Sequence, residues 1–280
     1  MFTLHNGDCL QVLPSIPSGS IDAIITDLPY GTTDCAWDEV IPFADMWKEV
    51  KRVLKSDGVF VTTSSQPFTS ALVMSNPSWF KCEWIWNKKL AGNHMLAKYQ
   101  PMKIHENIIV FSNSSKYNPI MEVGEYRTKG TDKEFRKDWD YGASHGTKAR
   151  NNMYYPKSIL EFGNTNRTDL RHPTQKPLAL FRYLVSTYTN PEETVLDIAM
   201  GSGTTIEAAI IEGRNSIGIE KEQGYYSIAE KRVKQAVLQP NFFTPSNTAC
   251  SGRVDSSGSP ELFPAEVSSP AKVTRQSTRR

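Results

Sequence analysis

Four short apolar runs do most to limit the folds open to this chain. They cover residues 21–26, 59–64, 106–111 and 194–199. None alternates strictly between apolar and polar residues, so each predicts a strand buried on both faces of a parallel sheet. Helical spacing of apolar residues marks 42–58, 177–189 and 204–213, and Gly58 is expected to end the first helix. Strands alternating with helices predict a doubly wound α/β fold with a mostly parallel sheet.

Two segments fall outside this pattern. Residues 113–165 are polar, basic and rich in glycine and aromatic side chains, so we interpret them as an insertion placed on the sheet rather than as part of it. The core then comprises residues 1–112 and 166–239. Residues 240–280 are mostly Ser, Pro and Thr with few large apolar side chains. Such a segment buries too little apolar surface to offset its ordering entropy, which predicts a disordered tail.

The charge of the chain is unevenly distributed. The formal net charge is +2, but residues 81–182 carry 18 Lys and Arg against 10 Asp and Glu, a net +8 that leaves −6 for the rest. A basic middle segment suggests a polyanionic partner, although the charge alone slightly favours a merely solvated surface. No apolar run approaches the roughly 20 residues of a membrane span. The four scattered cysteines predict neither disulfides nor a metal site, and with no secretory signal pattern we expect a cytoplasmic protein.

A second constraint is the pattern of residues 194–220. A strand ends at Asp197, a small-residue loop contains Gly201 and Gly203, a helix follows, and the next strand ends at Glu220. Nucleotide-binding α/β proteins place an acid about 20 residues after the loop to hold ribose hydroxyls. Neither a phosphate loop nor the full dinucleotide fingerprint is present. A nucleoside ligand without a pyrophosphate fits best, and S-adenosylmethionine is the common one.

The run at 21–26 ends in Asp27-Leu28-Pro29-Tyr30. Asp and Pro are frequent turn residues, so a simple turn is one interpretation of this segment. A functional interpretation is that the acid, a backbone carbonyl and the aromatic ring meet one planar substrate. The rest of the chain favours the second interpretation.

Four motifs together resemble the amino-methylating DNA methyltransferases. Asp27-Leu28-Pro29-Tyr30 is similar to their D-P-P-Y motif, and residues 197–205 (DIAMGSGTT) are similar to their cofactor loop. Residues 171–177 (RHPTQKP) resemble the segment just upstream of that loop, and residues 5–10 (HNGDCL) resemble a strand-end acidic motif. The catalytic motif precedes a basic insertion and the cofactor loop comes last. This circularly permuted order marks the β group of N6-adenine and N4-cytosine methyltransferases.

The resemblance implies site-specific methylation of the N6 amino group of adenine in duplex DNA by base flipping. Asp27 and the carbonyl of Leu28 or Pro29 would accept the two amine hydrogens, and Tyr30 would stack on the flipped base. The sequence departs from the family where Leu28 replaces the first proline and where Ala199-Met200 replaces Pro-Phe.

The resemblance and the strand-end positions also predict the binding residues. The expected contacts to S-adenosylmethionine are Asp8, Cys9, Lys176, Asp197, Met200, Gly201, Gly203, Thr204 and Glu220. Asp8 could equally well cap the turn that follows it. The expected phosphate contacts are Lys88, Lys89, Lys98 and Lys103, with 113–165 as the target-recognition segment. Trp84 and Trp86 alternate as in a strand and are expected in the core.

Several alternatives stay open. N4-cytosine methylation is the nearest, although that subgroup usually has serine in place of Asp27. Methylation of an RNA or protein amine is a second, and a catalytically inactive methyltransferase-like DNA-binding subunit is a third. Double-stranded DNA is the expected partner. The resemblance is compatible with a homodimer and with a partner restriction endonuclease, and it implies a bacterial or phage origin.

Overall fold

The computed structural model describes residues 1–32, 38–129, 149–163 and 175–238, with the side chains of 127–129 and 149–151 left out. Its strands are β1 (Phe2–Asn6), β2 (Ile21–Asp27), β3 (Leu54–Ser64), β4 (Phe80–Asn87), β5 (His105–Phe111), β6 (Glu122–Lys129), β7 (Ala149–Tyr154), β8 (Ile159–Glu161), β9 (Thr194–Asp197) and β10 (Asn215–Glu220). Its helices are α1 (Cys9–Val12), α2 (Phe43–Val53), α3 (Phe68–Ser75), α4 (Leu178–Tyr188), α5 (Thr204–Ile211) and α6 (Gln223–Leu238).

Eight of these strands form one sheet in the order β1-β10-β9-β2-β3-β5-β4-β8. The last strands of the chain, β9 and β10, lie between β1 and β2, and β9 pairs in parallel with β2. Each of the four predicted apolar runs is a strand of this sheet. The prediction of a mostly parallel, doubly wound α/β fold is confirmed.

One strand has a direction that the sequence pattern did not predict. β5 pairs antiparallel with both β3 and β4, whereas the apolar run at 106–111 had been grouped with the parallel strands. The reason is its connection: residues 88–104 contain only a short 3-10 turn at His94–Leu96 and no crossover helix. The amino end of β5 therefore lies at the same edge of the sheet as the carboxyl end of β3.

The first predicted helix ends earlier than expected. Helix α2 stops at Val53, and Gly58 lies inside β3 rather than at a helix terminus. Leu54 pairs with Ile21 of β2, so the chain enters the sheet directly after the helix. A Cβ on Gly58 would lie 2.9 Å from the carbonyl oxygen of Lys55, which explains why a glycine stands there.

Apolar side chains cover both faces of the sheet. On one face, Met46, Trp47 and Val50 of α2 pack with Leu72 of α3 against β2, β3 and β5. On the other face, residues of α4 and α5 pack around Trp84 and Trp86, which are buried as predicted. Because β10, β9, β2 and β3 pair in parallel, their carboxyl ends lie at one edge of the sheet, where ligands bind in folds of this class.

The predicted insertion contributes to two sheets. β6 and β7 form a separate antiparallel pair, while β8 pairs in parallel with β4 at the edge of the main sheet. Ile159–Glu161 of this segment thus belong to the main sheet, which differs from our interpretation of the segment as lying on the sheet. Residues 164–174, with most of the 171–177 motif, and the predicted tail lie outside the described residues. No helix among the described residues is long and apolar enough to cross a membrane.

Candidate active site

The carboxyl ends of β2, β9 and β10 border one cavity of about 710 Å³, a size typical of small-molecule sites. Residues from both ends of the chain line it: Asp8, Cys9, Asp27, Leu28, Pro29, Tyr30, Lys88, Glu106, Lys176, Asp197, Met200, Gly201, Thr204 and Glu220. β9 lies beside β2 in the sheet, so the two sequence motifs meet at the point where the strand order reverses. The fold therefore brings nearly all of the predicted catalytic and cofactor residues together.

Asp27 is the last residue of β2, and its carboxylate is held from three sides. Oδ1 accepts a hydrogen bond from the Tyr30 hydroxyl at 2.8 Å and another from the Thr63 hydroxyl. Oδ2 lies 3.0 Å from the ammonium of Lys176. A carboxylate offers about four acceptor directions. Among the residues that the structure describes, these three contacts leave one of them, on Oδ2, for a further donor.

The loop that carries Tyr30 is fixed by Asp38. One carboxylate oxygen of Asp38 accepts hydrogen bonds from the backbone N–H groups of Tyr30 and Gly31 at 2.8 and 2.9 Å. The other accepts from Thr32 at 2.9 Å. Gly31 has a φ of +65°, a conformation that favours glycine. The position of Tyr30 is thus determined by backbone contacts as well as by its hydroxyl.

The ring of Tyr30 has neighbours that the sequence did not reveal. Its centroid lies 5.3 Å from that of Phe68, and the Lys176 ammonium lies 5.4 Å from it. Burial, reinforced by Asp27, raises the pKa of Tyr30, so its hydroxyl keeps its proton and can donate it. Tyr30 therefore orients Asp27 in this structure, and stacking on a flipped base stays a prediction.

Lys176 is buried between two carboxylates. Beyond Asp27, its ammonium lies 3.4 Å from Glu106, which pairs in turn with Lys88 at 3.0 Å. Burial alone would lower the pKa of Lys176, but the surrounding acids raise it well above the usual value. For Glu106, burial favours a higher pKa, and the ammonium groups of Lys176 and Lys88 outweigh it and lower the pKa. Lys176 and Glu106 are therefore both charged at neutral pH.

The small-residue loop after β9 has the backbone geometry expected of it. Gly201 and Gly203 have φ values of +52° and +80°. A Cβ on Gly203 would lie 3.1 Å from the Cβ of Ala229 in α6, so this glycine permits close packing behind the cavity rather than lining it. Glu220 accepts the backbone N–H of Gly201 at 2.8 Å, which ties the loop to the end of β10. Burial raises the pKa of Glu220.

Asp197 anchors the other end of this loop. Its Oδ1 accepts hydrogen bonds from the Thr26 hydroxyl at 2.7 Å and from the N–H of Ala199 at 3.1 Å. The residue is only 2 % exposed. Burial raises its pKa to about 6, although hydrogen bonds from Thr205 and Thr26 act in the opposite direction.

Asp8 and Cys9 form the far end of the cavity. Asp8 caps α1 by accepting the N–H of Leu10 at 2.9 Å, and it also lines the cavity; contact with the cofactor stays a prediction. Burial raises the pKa of Cys9 to about 11, which keeps it a neutral thiol.

Two further predicted cofactor residues lie in the loop after β9 and at the start of α5. Met200 is buried, and Thr204 accepts a hydrogen bond from Arg232 at 2.8 Å.

The four predicted DNA-binding lysines fall into two pairs. Lys88 faces the cavity beside Glu106, and Lys103 contacts the hydroxyl of Ser65. Lys89 and Lys98 are exposed, with Lys89 3.4 Å from Glu161. Phosphate contact by the exposed pair stays a prediction.

Sequence reasoning missed three polar residues of this site. They are Asp38, Thr63 and Glu106. Thr63 could have been found from its place near the carboxyl end of a predicted strand, and the structure pairs it in register with Asp27. Glu106 was missed because β5 was expected to be parallel. A parallel β5 would place its first residues at the edge of the sheet opposite the cavity.

Comparison with known proteins gives the family. The profile described as DNA methylase, of the N6/N4 type, matches residues 21–231, which is most of the chain. The chain belongs to the N6/N4 DNA methylase family. It is 30% identical over 257 residues to the DNA adenine methyltransferase YhdJ of Escherichia coli K12, covering 84% of this chain and 83% of that protein. It is 29% identical over 270 residues to the Type II methyltransferase M.HinfI of Haemophilus influenzae, covering 85% and 70%.

Solved structures confirm the fold of this DNA methylase. A complex of M1.HpyAVI with SAM has a TM-score of 0.56 at 24% identity, covering 83% of this chain and 100% of that one. PvuII DNA methyltransferase, described as cytosine-N4-specific, has a TM-score of 0.61 at 18% identity, covering 87% and 90%. The resemblance to amino-methylating DNA methyltransferases is therefore confirmed for family and fold.

Proposed function

We propose that this DNA methylase transfers a methyl group from S-adenosylmethionine to the N6 amino group of adenine at specific sites in duplex DNA. The observation that carries the proposal is the carboxylate of Asp27, which keeps one acceptor direction in the cavity that also contains the Gly201 loop. Two facts favour adenine over cytosine. N4-cytosine members of the family usually have serine at this position, and the relative YhdJ is named a DNA adenine methyltransferase.

The amino group of adenine needs activation because its lone pair is delocalised into the ring. Asp27 accepts one amine hydrogen in its remaining direction, and the carbonyl of Leu28 or Pro29 accepts the other. With both hydrogens held out of the ring plane, the nitrogen pyramidalises and its lone pair becomes available. The contribution of the protein is then positioning and fixed electrostatics.

Residues at the ends of β1, β9 and β10 fit the cofactor. S-adenosylmethionine supplies a methyl group on a sulfonium centre. The two carboxylate oxygens of Glu220 accept the N–H groups of Gly201 and Glu222, both at 2.8 Å, and each oxygen keeps a lone pair for a ribose hydroxyl. Asp8 lies at the same end of the cavity, where it can accept from an adenine amine. Met200, which also lines the cavity, is the proposed cover for the adenine ring.

Duplex DNA is the proposed substrate. A base reaches this cavity only after rotation out of the helix, which costs a few kcal/mol. The exposed Lys89 and Lys98 are the proposed phosphate contacts, and the segment at 113–165 is the proposed target-recognition element. A partner restriction endonuclease would fit such an enzyme, as would a homodimer.

Nucleoside mass spectrometry tests the proposal. Purified protein is incubated with S-adenosylmethionine and a long, unmethylated duplex of mixed sequence, and the DNA is digested to nucleosides. We expect N6-methyladenine. N4-methylcytosine would contradict the base assignment, while a protein that binds the cofactor and modifies no DNA base would contradict the proposed function altogether. RNA and total protein in parallel reactions identify the substrate in that case.

A further inference from the structure

Asp27 is the first of four side chains of alternating charge that contact one another in a row. Lys176 Nζ lies 3.0 Å from Asp27 Oδ2 and 3.4 Å from Glu106 Oε2, and Lys88 Nζ lies 3.0 Å from Glu106 Oε1. The exposed fractions of the four side chains are 24, 10, 14 and 16 % in the order Asp27, Lys176, Glu106, Lys88. The groups come from β2, the segment before α4, β5 and the residue after β4. The structure thus assembles one largely buried row of charges, bordering the cavity, from four separate parts of the chain.

A contribution to the stability of the fold is a weak explanation for this row of charges. Taking charges out of water is expensive, and buried ion pairs can often be replaced by apolar residues without loss of stability. The proposed reaction uses only the first member, Asp27. The other three charges therefore call for an explanation in terms of the reaction.

Charge moves during methyl transfer. As the carbon–nitrogen bond forms and the carbon–sulfur bond breaks, positive charge leaves the sulfonium and develops on the adenine nitrogen. The carboxylate of Asp27 faces that nitrogen and stabilises this charge. The ammonium of Lys176 lies 3.0 Å from Oδ2 of the same carboxylate, and its field opposes the same charge. An unbalanced Lys176 would therefore raise the barrier, since charges in a buried site interact strongly.

We propose that Glu106 is a positioning residue for methyl transfer: it holds Lys176 against Asp27 and offsets the positive charge of Lys176. Lys176 then occupies one acceptor direction of Oδ2 and orients the carboxylate, while its field at the amine is largely cancelled. This inference rests on the proposed function and goes beyond it, because it assigns a role to a residue that does not contact the substrate.

The first variant is Glu106→Gln, which keeps the shape and one acceptor but removes the charge. We expect kcat to fall by about 10- to 100-fold, while KM for S-adenosylmethionine and for DNA changes by less than about 3-fold. Glu212→Gln is the matched control. The Glu212 side chain is 17 % exposed, pairs with Arg182 at 2.6 Å and does not line the cavity. Its kcat is expected to stay within about 2-fold of wild type.

A double variant separates charge balance from simple structural support. Glu106→Gln combined with Lys176→Met removes both the offsetting charge and the charge that it offsets. We expect its kcat to recover at least about 5-fold over that of Glu106→Gln alone. Lys176→Met by itself removes the opposing charge together with the contact that orients Asp27, and its kcat is expected to fall by less than about 10-fold. Melting temperature and cofactor affinity are measured on each sample, so that rates are compared per folded enzyme.

Each outcome decides the inference. Wild-type protein that methylates no DNA would overturn the proposed function and the inference with it. With active wild type, the inference is overturned in three cases: Glu106→Gln as fast as Glu212→Gln, a loss confined to KM, or a double variant whose kcat recovers by less than about 5-fold over that of Glu106→Gln. If Glu106→Gln does not fold, a loss of more than about 10-fold in Lys176→Met overturns it instead.

Discussion

Asp197 makes the stability of this protein depend on pH in a way that can be calculated. It is 2 % exposed, and burial raises its pKa from 3.8 to about 6. An acid with a higher pKa in the folded state stabilises the fold fully below its unfolded pKa, and that contribution is lost as pH rises through the folded pKa. The shift of about 2 pKa units corresponds to about 3 kcal/mol, lost between about pH 4 and pH 6.

The variant Asp197→Asn removes this titration and keeps an oxygen that can accept from Thr26 and Ala199. Unfolding by urea is measured for both proteins from pH 5 to pH 8, and the difference in free energy of unfolding is plotted against pH. Other titrating groups cancel in the difference. Between pH 5 and pH 7 we expect the variant to gain about 1 kcal/mol relative to wild type, with no further change above pH 7. A difference in free energy of unfolding that stays constant from pH 5 to pH 8 would refute the argument.

Three further predictions concern the substrate side of the site. Tyr30→Phe removes the hydroxyl that orients Asp27 and keeps the ring, so kcat should fall about 10-fold with unchanged DNA affinity, as steady-state kinetics would show. Asp38→Ala leaves three backbone N–H groups without their acceptor, so urea unfolding should give a loss of about 2 kcal/mol. Lys98→Ala should reduce the slope of log affinity against log salt by about 0.9, whereas Lys103→Ala, whose ammonium bonds Ser65, should leave it unchanged.

The sequence was most informative where a strand ends. Asp27, Asp197 and Glu220 each follow a buried apolar run, and parallel strands carry their carboxyl ends to one edge of a sheet. The meeting of these acids in one cavity could therefore be predicted before the structure. The glycine loop could be predicted equally well, because the left-handed conformations of Gly201 and Gly203 are ones that other residues rarely adopt.

The contacts between side chains of distant segments could not be predicted in this way. The direction of β5 depends on whether the connection before it is a helix or a loop, and the apolar run itself carries no such information. That direction decides whether Glu106 reaches the cavity. Lys176 was expected beside the cofactor, and the structure places its ammonium on Asp27. Gly58 matched a helix end, but the pairing of Leu54 with Ile21 begins a strand first.

The central claim is that the carboxylate of Asp27 activates an adenine amine in a cavity that binds the cofactor independently. Single-turnover methyl transfer to duplex DNA, with wild type and Asp27→Ala at saturating S-adenosylmethionine, tests it most directly when cofactor affinity is measured on the same samples. The account predicts equal cofactor affinity and a rate of N6-methyladenine formation at least about 100-fold lower in the variant. A variant that binds the cofactor equally well and methylates adenine at the wild-type rate would contradict it.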